Sequence, residues 1–406
     1  MHSNPLSASK AETAPAGQSP VKPAWPAVFS MSLGVFGLVT AEFLPASLLT
    51  PMAADLGVTE GMAGQAVTAT AAVALVTSLL IASATRRLDR RHVLLAFSLL
   101  LIASNLLVAA APTLTILILG RVLLGIALGG FWTMSAATAM RLVPEPLIPR
   151  ALSVMFSGVS AATIVAAPVG SYLGDLIGWR NVFLATTAIG VVTFIWQLAT
   201  LPRMAARGET RLGTLVEVLR RPGIALGMLA VILVFTGHFA FFTYLRPFLE
   251  TVAGVGVHGL SAILLGFGVA NFAGTTVAGF MLERNLRLTL ALMPLLMAAL
   301  GLGMVALGSA VYADFAMIAL WGFAFGTVPV GWSTWITRAV PDEAESAGGL
   351  IVAAVQLAIT LGAAAGGAIF DSSGALGVFA ASGVALLLAT MLILLRLRPH
   401  PAPAAA

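Results

Sequence analysis

Twelve apolar blocks, separated by short polar segments, run through almost the whole chain. A helix needs about 20 apolar residues to cross the hydrocarbon core of a bilayer, and each block is long enough for one such helix. A transmembrane barrel would instead show short strands of alternating polarity. The blocks therefore predict an all-α integral membrane protein with twelve transmembrane helices. The predicted spans are 27–50, 65–85, 93–111, 114–140, 151–175, 181–201, 223–247, 259–282, 288–309, 312–338, 346–370 and 375–396.

The composition agrees with this class and excludes several others. Of the 406 residues, 9% are charged, whereas an ordinary soluble domain carries about 25%. The absence of cysteine excludes disulfides, thiol catalysis and iron–sulfur clusters. Lys10 and Lys22 are the only lysines, so the chain has no phosphate-binding loop of the Walker A type. The five histidines lack the spacing of metal ligands, and we expect neither an enzyme nor a bound cofactor.

Positive charge is distributed unequally between the two sides of the predicted bundle. With the N-terminus in the cytoplasm, 18 of the 21 lysine and arginine residues lie on the cytoplasmic side. Arg180 and Arg246 lie on the outer side, and Arg121 lies inside a span. Because loops rich in Lys and Arg stay in the cytoplasm, both termini are predicted to be cytoplasmic. The arginines are spread through short loops, so the pI of about 10.4 does not indicate a nucleic-acid partner.

The longest polar interruption divides the chain into two parts of similar size. It covers residues 202–222 and separates a six-helix bundle at 25–201 from a second one at 223–396. The segment 1–24, rich in Ser, Ala and Pro, is predicted to be a disordered cytoplasmic tail, and 397–406 a second cytoplasmic tail.

Within the interruption, four apolar residues share one helical face. This pattern predicts a short amphipathic helix on the cytoplasmic surface, and a plain flexible linker is the alternative. The four residues are Leu212, Leu215, Val216 and Leu219.

The two parts are related by an internal repeat. At an offset of 197, the matching pairs are Gly125 and Gly322, Gly129 and Gly326, and Arg141 and Arg338. An even number of spans separates the copies, so both have the same orientation in the membrane. Such parallel repeats are related by an axis along the membrane normal, and substrate binds between them near the middle of the bilayer.

Three ionisable residues, Glu42, Arg121 and His238, lie more than two residues from the ends of the predicted spans, where charge is costly and is functional by default. Glu42 is a candidate for proton coupling and substrate binding, because a carboxylate that changes its charge between states can link proton entry to substrate exit. The alternative is a carboxylate fixed by hydrogen bonds, for example to Thr40 or to backbone near Pro45. His238 stands opposite Glu42 in the repeat and can donate to a polar substrate or titrate near neutral pH. The alternative for His238 is a histidine that faces a neighbouring helix and makes its hydrogen bonds within the protein.

Arg121 is the third of these residues and a further candidate for proton coupling. An arginine is always charged, so inside a span it needs a partner or water. Its repeat mate is Ile318, so the repeated scaffold does not require a cation there. We therefore predict that Arg121 stabilises a carboxylate after the proton leaves, and an arginine that snorkels to the outer surface is the alternative.

Other candidates for substrate binding are polar or aromatic side chains inside the spans. The polar ones can bind substrate or connect helices. The aromatic ones offer stacking faces for a base or a sugar, or simply fill helix contacts. The polar candidates are Thr70, Asn271 and Gln356, and the aromatic candidates are Trp132, Phe239, Phe242, Trp332 and Trp335.

Three sequence motifs carry a resemblance to a known family. Residues 117–129 contain Arg121 and Gly125, residues 167–170 read Ala-Pro-Val-Gly, and residues 88–91 read Leu-Asp-Arg-Arg. At these motifs the chain resembles the twelve-helix drug:proton antiporters of the major facilitator superfamily. In that branch the arginine of the first motif is implicated in proton coupling, which the resemblance extends to Arg121.

Longer stretches are similar to a subfamily of that branch, the purine ribonucleoside efflux permeases. The resemblance implies proton-driven export of inosine, guanosine and toxic purine analogues by alternating access. It also implies a bacterial inner-membrane protein, and we expect a monomer whose partners are purine nucleosides, protons and the bilayer. The similar stretches are 42–45, 48–52, 129–132, 140–144, 178–183, 239–244 and 328–338.

Two alternatives remain for the function. The same fold exports sugars or hydrophobic drugs in related permeases. A membrane sensor or scaffold that transports nothing is the other alternative, although the short tails offer little for a partner to hold.

Overall fold

The computed structural model describes residues 23–144, 147–205, 212–307 and 311–397. Within these ranges the regular structure includes thirteen α-helices and a short 3-10 helix, Pro341–Glu343. The first seven are α1 (Trp25–Ser47), α2 (Leu49–Leu56), α3 (Glu60–Ala84), α4 (Arg90–Ala109), α5 (Leu114–Leu142), α6 (Ile148–Ile177) and α7 (Trp179–Thr200). The others are α8 (Leu212–Arg220), α9 (Ile224–Thr243), α10 (Leu245–Thr251), α11 (Val257–Leu307), α12 (Val311–Ala339) and α13 (Ala344–Arg396).

Ten of the described helices are long and apolar enough to cross a membrane, and two of these ten are long enough to cross it twice. The helices α11 and α13 have 51 and 53 residues, each with one non-helical residue inside. Asn285 is extended in α11, and its side-chain oxygen accepts a hydrogen bond from the backbone N–H of Leu288 at 2.9 Å, which caps the second segment. Gly374 interrupts α13 with a φ of 68°, a conformation that favours glycine. Counting each of these two helices twice confirms the twelve predicted spans.

The repeat seen in the sequence is also present in the helix contacts. A Cβ atom on Gly125 would lie 2.6 Å from the carbonyl oxygen of Thr70, and one on Gly322 would meet the carbonyl oxygen of Phe267. Gly129 and Gly326 approach Ala74 and Asn271 in the same way. Because each pair of partners is also 197 residues apart, α5 packs on α3 as α12 packs on α11. Glycine permits these close backbone approaches, and the contacts confirm two parallel six-helix repeats.

The first helix of each repeat ends earlier than predicted. Here the proximal end of the bundle means the end at which Trp25 begins α1, and the distal end is the opposite one. Near the distal end α1 stops at Ser47 and α9 stops at Thr243, and a short second helix follows each of them. The predicted spans 27–50 and 223–247 wrongly joined these pieces, because the apolar pattern continues through the break.

The polar interruption between the two halves, residues 202–222, contains the helix α8. Its Val218 is buried in the C-terminal half, whereas Val216 and Leu219 are exposed. Contact of this exposed face with a membrane surface stays a prediction. The predicted domain borders also stay predictions, and residues 1–22, 206–211 and 398–406 lie outside the described residues.

The two halves hold each other at the distal end. Asp371, beside the break in α13, accepts hydrogen bonds from the hydroxyl of Thr59 at 3.0 Å and the backbone N–H of Gly61 at 3.2 Å. Arg246 donates to the carbonyl oxygen of Ser47 at 2.5 Å, which connects α10 to the end of α1. We call these two connections the distal contacts. They close the seam between the halves at this end of the bundle.

At the proximal end, the loop before α4 is attached within its own half. Asp89 caps α4 by accepting from the backbone N–H of Arg91 at 2.8 Å, and it also accepts from the N–H of Met204 at 2.9 Å. Burial raises the pKa of Asp89, but the hydrogen bonds from Met204 and Arg91 outweigh this and hold the pKa below its ordinary value. The carboxylate therefore joins α4 to the chain that follows α7.

Candidate functional site

Glu42 lies in α1, on the distal side of the helix middle, and its side chain is half-buried. The alternative of a carboxylate fixed by Thr40 is not supported, because the Thr40 hydroxyl has no hydrogen-bond partner in the described part of the chain. Arg121 is close enough to Glu42 for their charges to interact. Glu42 is therefore a partly accessible carboxylate beside a buried cation.

Arg121 connects three helices of the N-terminal half. It is 0% exposed, so the alternative of a snorkelling arginine is wrong. From α5 it donates to the carbonyl oxygens of Ala41 at 2.7 Å, Ala66 at 3.2 Å and Glu42 at 3.4 Å. Hydrogen bonds that involve an ionised donor are stronger than neutral ones, so the guanidinium fixes α1 and α3 beside α5.

His238 occupies the matching level of the C-terminal half, in α9. Its Nδ1 accepts a hydrogen bond of 3.1 Å from Nε1 of Trp321 in α12. Its ring lies nearly parallel to that of Phe325, with centroids 3.3 Å apart, and stacks less closely on Phe242 at 5.8 Å. The imidazole is thus 3% exposed and surrounded by aromatic rings.

An aromatic contact joins the two halves at this level. Phe43, the neighbour of Glu42, meets Phe242 edge to face with a centroid distance of 5.7 Å. Phe242 in turn stacks on His238. The structure therefore brings Glu42, Arg121, His238, Phe239 and Phe242 to one level around the seam, which we call the central site.

The polar candidates differ in what their side chains do. The hydroxyl of Thr70 donates to the carbonyl oxygens of Ala66 at 2.9 Å and Arg121 at 3.4 Å, and Asn271 donates to that of Gly322 at 3.3 Å. Both residues thus connect neighbouring helices. Gln356 is 4% exposed, and its side-chain nitrogen lacks a hydrogen-bond partner among the described residues, so it keeps free donors.

The three tryptophan candidates lie away from the central site. Trp132 stacks on Phe156 at 5.9 Å within the N-terminal half. Trp332 and Trp335 pack edge to face at 5.4 Å, at least three helical turns beyond Trp321 toward the proximal end. Both are buried in the C-terminal core. The structure does not bring these rings together with Glu42 or His238.

Sequence reasoning missed several residues of the central site. Trp321, Phe325 and Phe267 surround His238, and Phe43 reaches it from the other half through Phe242. Inside apolar blocks such residues look like ordinary core. The repeat offered one usable signal, because Phe267 is the mate of the candidate Thr70.

The chemistry of this site suits a small molecule that is flat and polar. Aromatic faces stack on a planar ring, while an imidazole and a carboxylate supply hydrogen bonds. In the described residues no group of three or more His, Asp or Glu side chains is placed to hold a metal ion. A membrane-spanning bundle of two repeats with a polar site at their interface defines a solute transporter rather than an enzyme.

Comparison with known proteins gives the family. The sequence profile described as Major Facilitator Superfamily matches residues 31–356, which is most of the chain. The chain therefore belongs to the major facilitator superfamily, and it is a multi-pass membrane transporter. The crystal structure of a D-xylose-proton symporter has the same fold, with a TM-score of 0.71, 17% sequence identity, and coverage of 91% of this chain and 96% of that one.

Two bacterial relatives are much more similar in sequence. The purine ribonucleoside efflux pump NepI of Salmonella paratyphi C (strain RKS4594) is 48% identical over 380 residues, which cover 94% of this chain and 96% of the relative. The protein of the same description from Salmonella typhimurium (strain LT2) has the same identity and coverage.

Proposed function

We propose that the chain exports purine ribonucleosides, such as inosine and guanosine, and toxic purine analogues across the bacterial inner membrane. The observation that carries this proposal is the 48% identity, over nearly the full length of both chains, to pumps described as purine ribonucleoside efflux proteins. The aromatic rings and hydrogen-bonding groups of the central site support it, because a purine is flat and rich in hydrogen-bond acceptors.

We further propose that export is coupled to proton entry at Glu42. The carboxylate is half-buried beside the permanent charge of Arg121, whose donors are occupied by backbone oxygens. A proton from outside neutralises Glu42, and substrate leaves on the outer side. After the proton departs to the cytoplasm, the nearby cation stabilises the ionised carboxylate.

Alternating access then requires two arrangements of the halves. With both termini in the cytoplasm, the distal contacts lie on the outer side, and this structure is the arrangement closed to the outside. Rocking of the halves breaks these contacts and exposes the central site outward. We propose that a monomer carries out this cycle.

Transport by purified protein in proteoliposomes tests the proposal. In wild type we expect an imposed pH gradient to drive labelled inosine in the direction opposite to the proton flow. In Glu42→Gln this gradient-driven movement should fall at least tenfold. Glu283→Gln is the matched control, since Glu283 is an exposed carboxylate on α11. Both variants are checked for equal thermal stability.

Two outcomes would contradict the proposal in different ways. Wild-type transport by Glu42→Gln would remove Glu42 as the coupling residue and leave the cargo standing. Transport of arabinose or a lipophilic cation, with no movement of inosine, would replace the nucleoside by the sugar or drug alternative on the same fold.

A further inference from the structure

We propose that Trp321 holds His238 as a neutral imidazole with its hydrogen on Nε2, and that this N–H donates to a ring acceptor of the substrate. This inference rests on the proposed function for the identity of the substrate. It assigns a positioning role to Trp321 and a specificity role to His238, and it removes His238 from the proton path.

The direction of one hydrogen bond fixes the state of the imidazole. The indole nitrogen of Trp321 can only donate, so Nδ1 of His238 has to be the acceptor in their 3.1 Å contact. A neutral imidazole carries one hydrogen, and that hydrogen must therefore sit on Nε2. Protonation at Nδ1 would place two donors against each other and would break the contact.

Trp321 cannot turn away easily to release this constraint. The residue is 0% exposed, and its ring lies nearly parallel to that of Phe241 with centroids 3.7 Å apart. On another side it is close to Gly301, where a Cβ atom would be only 3.1 Å from the indole ring. Its donor is thus held in place by packing on several sides.

The surroundings of His238 also disfavour a charged ring. Phe325 covers one face of the imidazole, and none of the salt bridges of the described residues involves His238. A buried imidazolium without a counter-ion is costly. The other rings that pack against His238 are Phe239, Phe242 and Phe267.

Nε2 is the nitrogen left for the substrate. The two ring nitrogens of an imidazole point in widely different directions, so Nε2 points away from Trp321. No hydrogen bond to Nε2 is present among the described residues, and Nε2 is not one of their fully buried polar atoms that lack a partner, so its hydrogen is left for the substrate. A flat ring stacked beside Phe242 would place an acceptor, such as a purine nitrogen or the 6-oxygen, within its reach.

Substrate analogues test the donor. The wild-type protein in proteoliposomes is given a panel of inosine analogues that differ from inosine in their purine acceptors. We expect the KM of one analogue to be about tenfold higher than the KM of inosine. The panel consists of 7-deazainosine and 3-deazainosine, which each lack one ring acceptor, and purine riboside, which lacks the 6-oxygen and has an acceptor in place of the N1–H. In His238→Phe the penalty for that analogue disappears, because no donor remains to lose. His238→Gln, which carries an amide N–H near the position of Nε2, restores part of the discrimination.

Trp321→Phe tests the positioning role. This variant keeps an aromatic ring but removes the donor, and we expect a severalfold rise in KM for inosine with Vmax nearly unchanged. Trp179→Phe is the matched control, because Trp179 is buried and its Nε1 donates to Asp55 at 3.1 Å far from the site. An unchanged KM in Trp321→Phe overturns the role of Trp321, and equal KM values for the whole panel overturn that of His238.

A spectroscopic measurement separates this inference from the proposed function. Nitrogen-15 NMR of histidine-labelled protein in nanodiscs, with His238→Gln to assign the signal, reports which ring nitrogen carries the hydrogen. We expect the Nε2–H form in wild type and a mixture in Trp321→Phe. An imidazolium or the Nδ1–H form in wild type overturns the inference, whatever the protein transports.

Discussion

Arg121 is a permanent cation in a place where water is scarce, and its donors end on backbone carbonyls of two neighbouring helices. This arrangement differs from an ordinary buried ion pair, in which two side chains neutralise each other. The geometry depends on the planar, forked shape of the guanidinium, because bonds in different directions leave from one group.

We therefore expect Arg121→Lys to be a harmful change although it keeps the charge. A lysine cannot reproduce the fork, and losing two charged hydrogen bonds lowers the free energy of unfolding by about 3 kcal/mol. Urea unfolding in mild detergent measures this. Arg338→Lys, an exposed change, serves as the control and should stay within about 0.5 kcal/mol of wild type. Equal stability of the two variants would contradict the connecting role of Arg121.

Charge inside a span was enough to single out Glu42, Arg121 and His238 from the sequence. The partners of His238 were not predictable, because Trp321 and Phe325 are apolar residues in apolar blocks and acquire their role only through tertiary packing. The hydrogen bonds from Arg121 to the backbone could not be predicted either, since every residue has a carbonyl group and residue type does not indicate which one accepts.

At the scale of helices, close approach at glycine decides how the repeats are packed. Gly125 allows the α5 backbone to reach the carbonyl oxygen of Thr70 in α3. We expect Gly125→Ala to lower the free energy of unfolding by about 2 kcal/mol, because the added Cβ meets backbone that cannot move aside. Gly279→Ala is the control, since nothing lies within 4 Å of a Cβ there. It should be neutral or slightly stabilising, because alanine favours a helix.

Thermal unfolding of both variants in detergent checks this expectation. A fall in Tm for Gly279→Ala as large as that for Gly125→Ala would show that helix propensity or detergent effects, rather than the α3–α5 contact, control the outcome.

Asp89 also connects two helices, because its carboxylate joins the start of α4 to the chain after α7. Its pKa is lowered in the folded protein, so its charged form stabilises the fold above the ordinary pKa of 3.8 and this contribution is lost as the pH falls through the folded value. We expect the Tm difference between wild type and Asp89→Ala to be constant from about pH 7 to 5 and to shrink below about pH 4.

Asp89→Asn provides the comparison, because asparagine is also a good N-cap and keeps an acceptor oxygen. Its Tm should fall less than that of Asp89→Ala at neutral pH. A Tm difference for Asp89→Ala that grew on acidification would contradict the assignment of the stabilising form to the carboxylate.

On the scale of the whole molecule, the distal contacts hold the present arrangement of the halves. The chain has no cysteine, so a pair introduced as Thr59→Cys and Asp371→Cys would react alone. Their native side chains are 3.0 Å apart, and we expect a short thiol-reactive cross-linker to join the pair and to reduce transport at least tenfold. Reduction of a cleavable linker should restore transport. Full activity of the cross-linked protein would show that these contacts need not open.

Much of the whole-molecule plan was predictable from the sequence, because span length and the 197-residue offset follow from bilayer thickness and from duplication. The early ends of α1 and α9 were not, since the residues that interrupt the helices, Leu48 and Tyr244, are neither glycine nor proline. The closed distal end could not be predicted either, because the sequence does not specify which arrangement of the two halves a structure shows.

The two copies of the repeat fasten their first and fourth helices differently at almost the same level. The first copy uses a cation on backbone oxygens, and the second uses an indole on an imidazole. The two halves thus use different side chains for the same connection, so a substitution beside the imidazole does not remove a hydrogen bond of the cation. Selection for a new cargo, in nature or in the laboratory, therefore has a place to begin that leaves the hydrogen bonds of Arg121 intact.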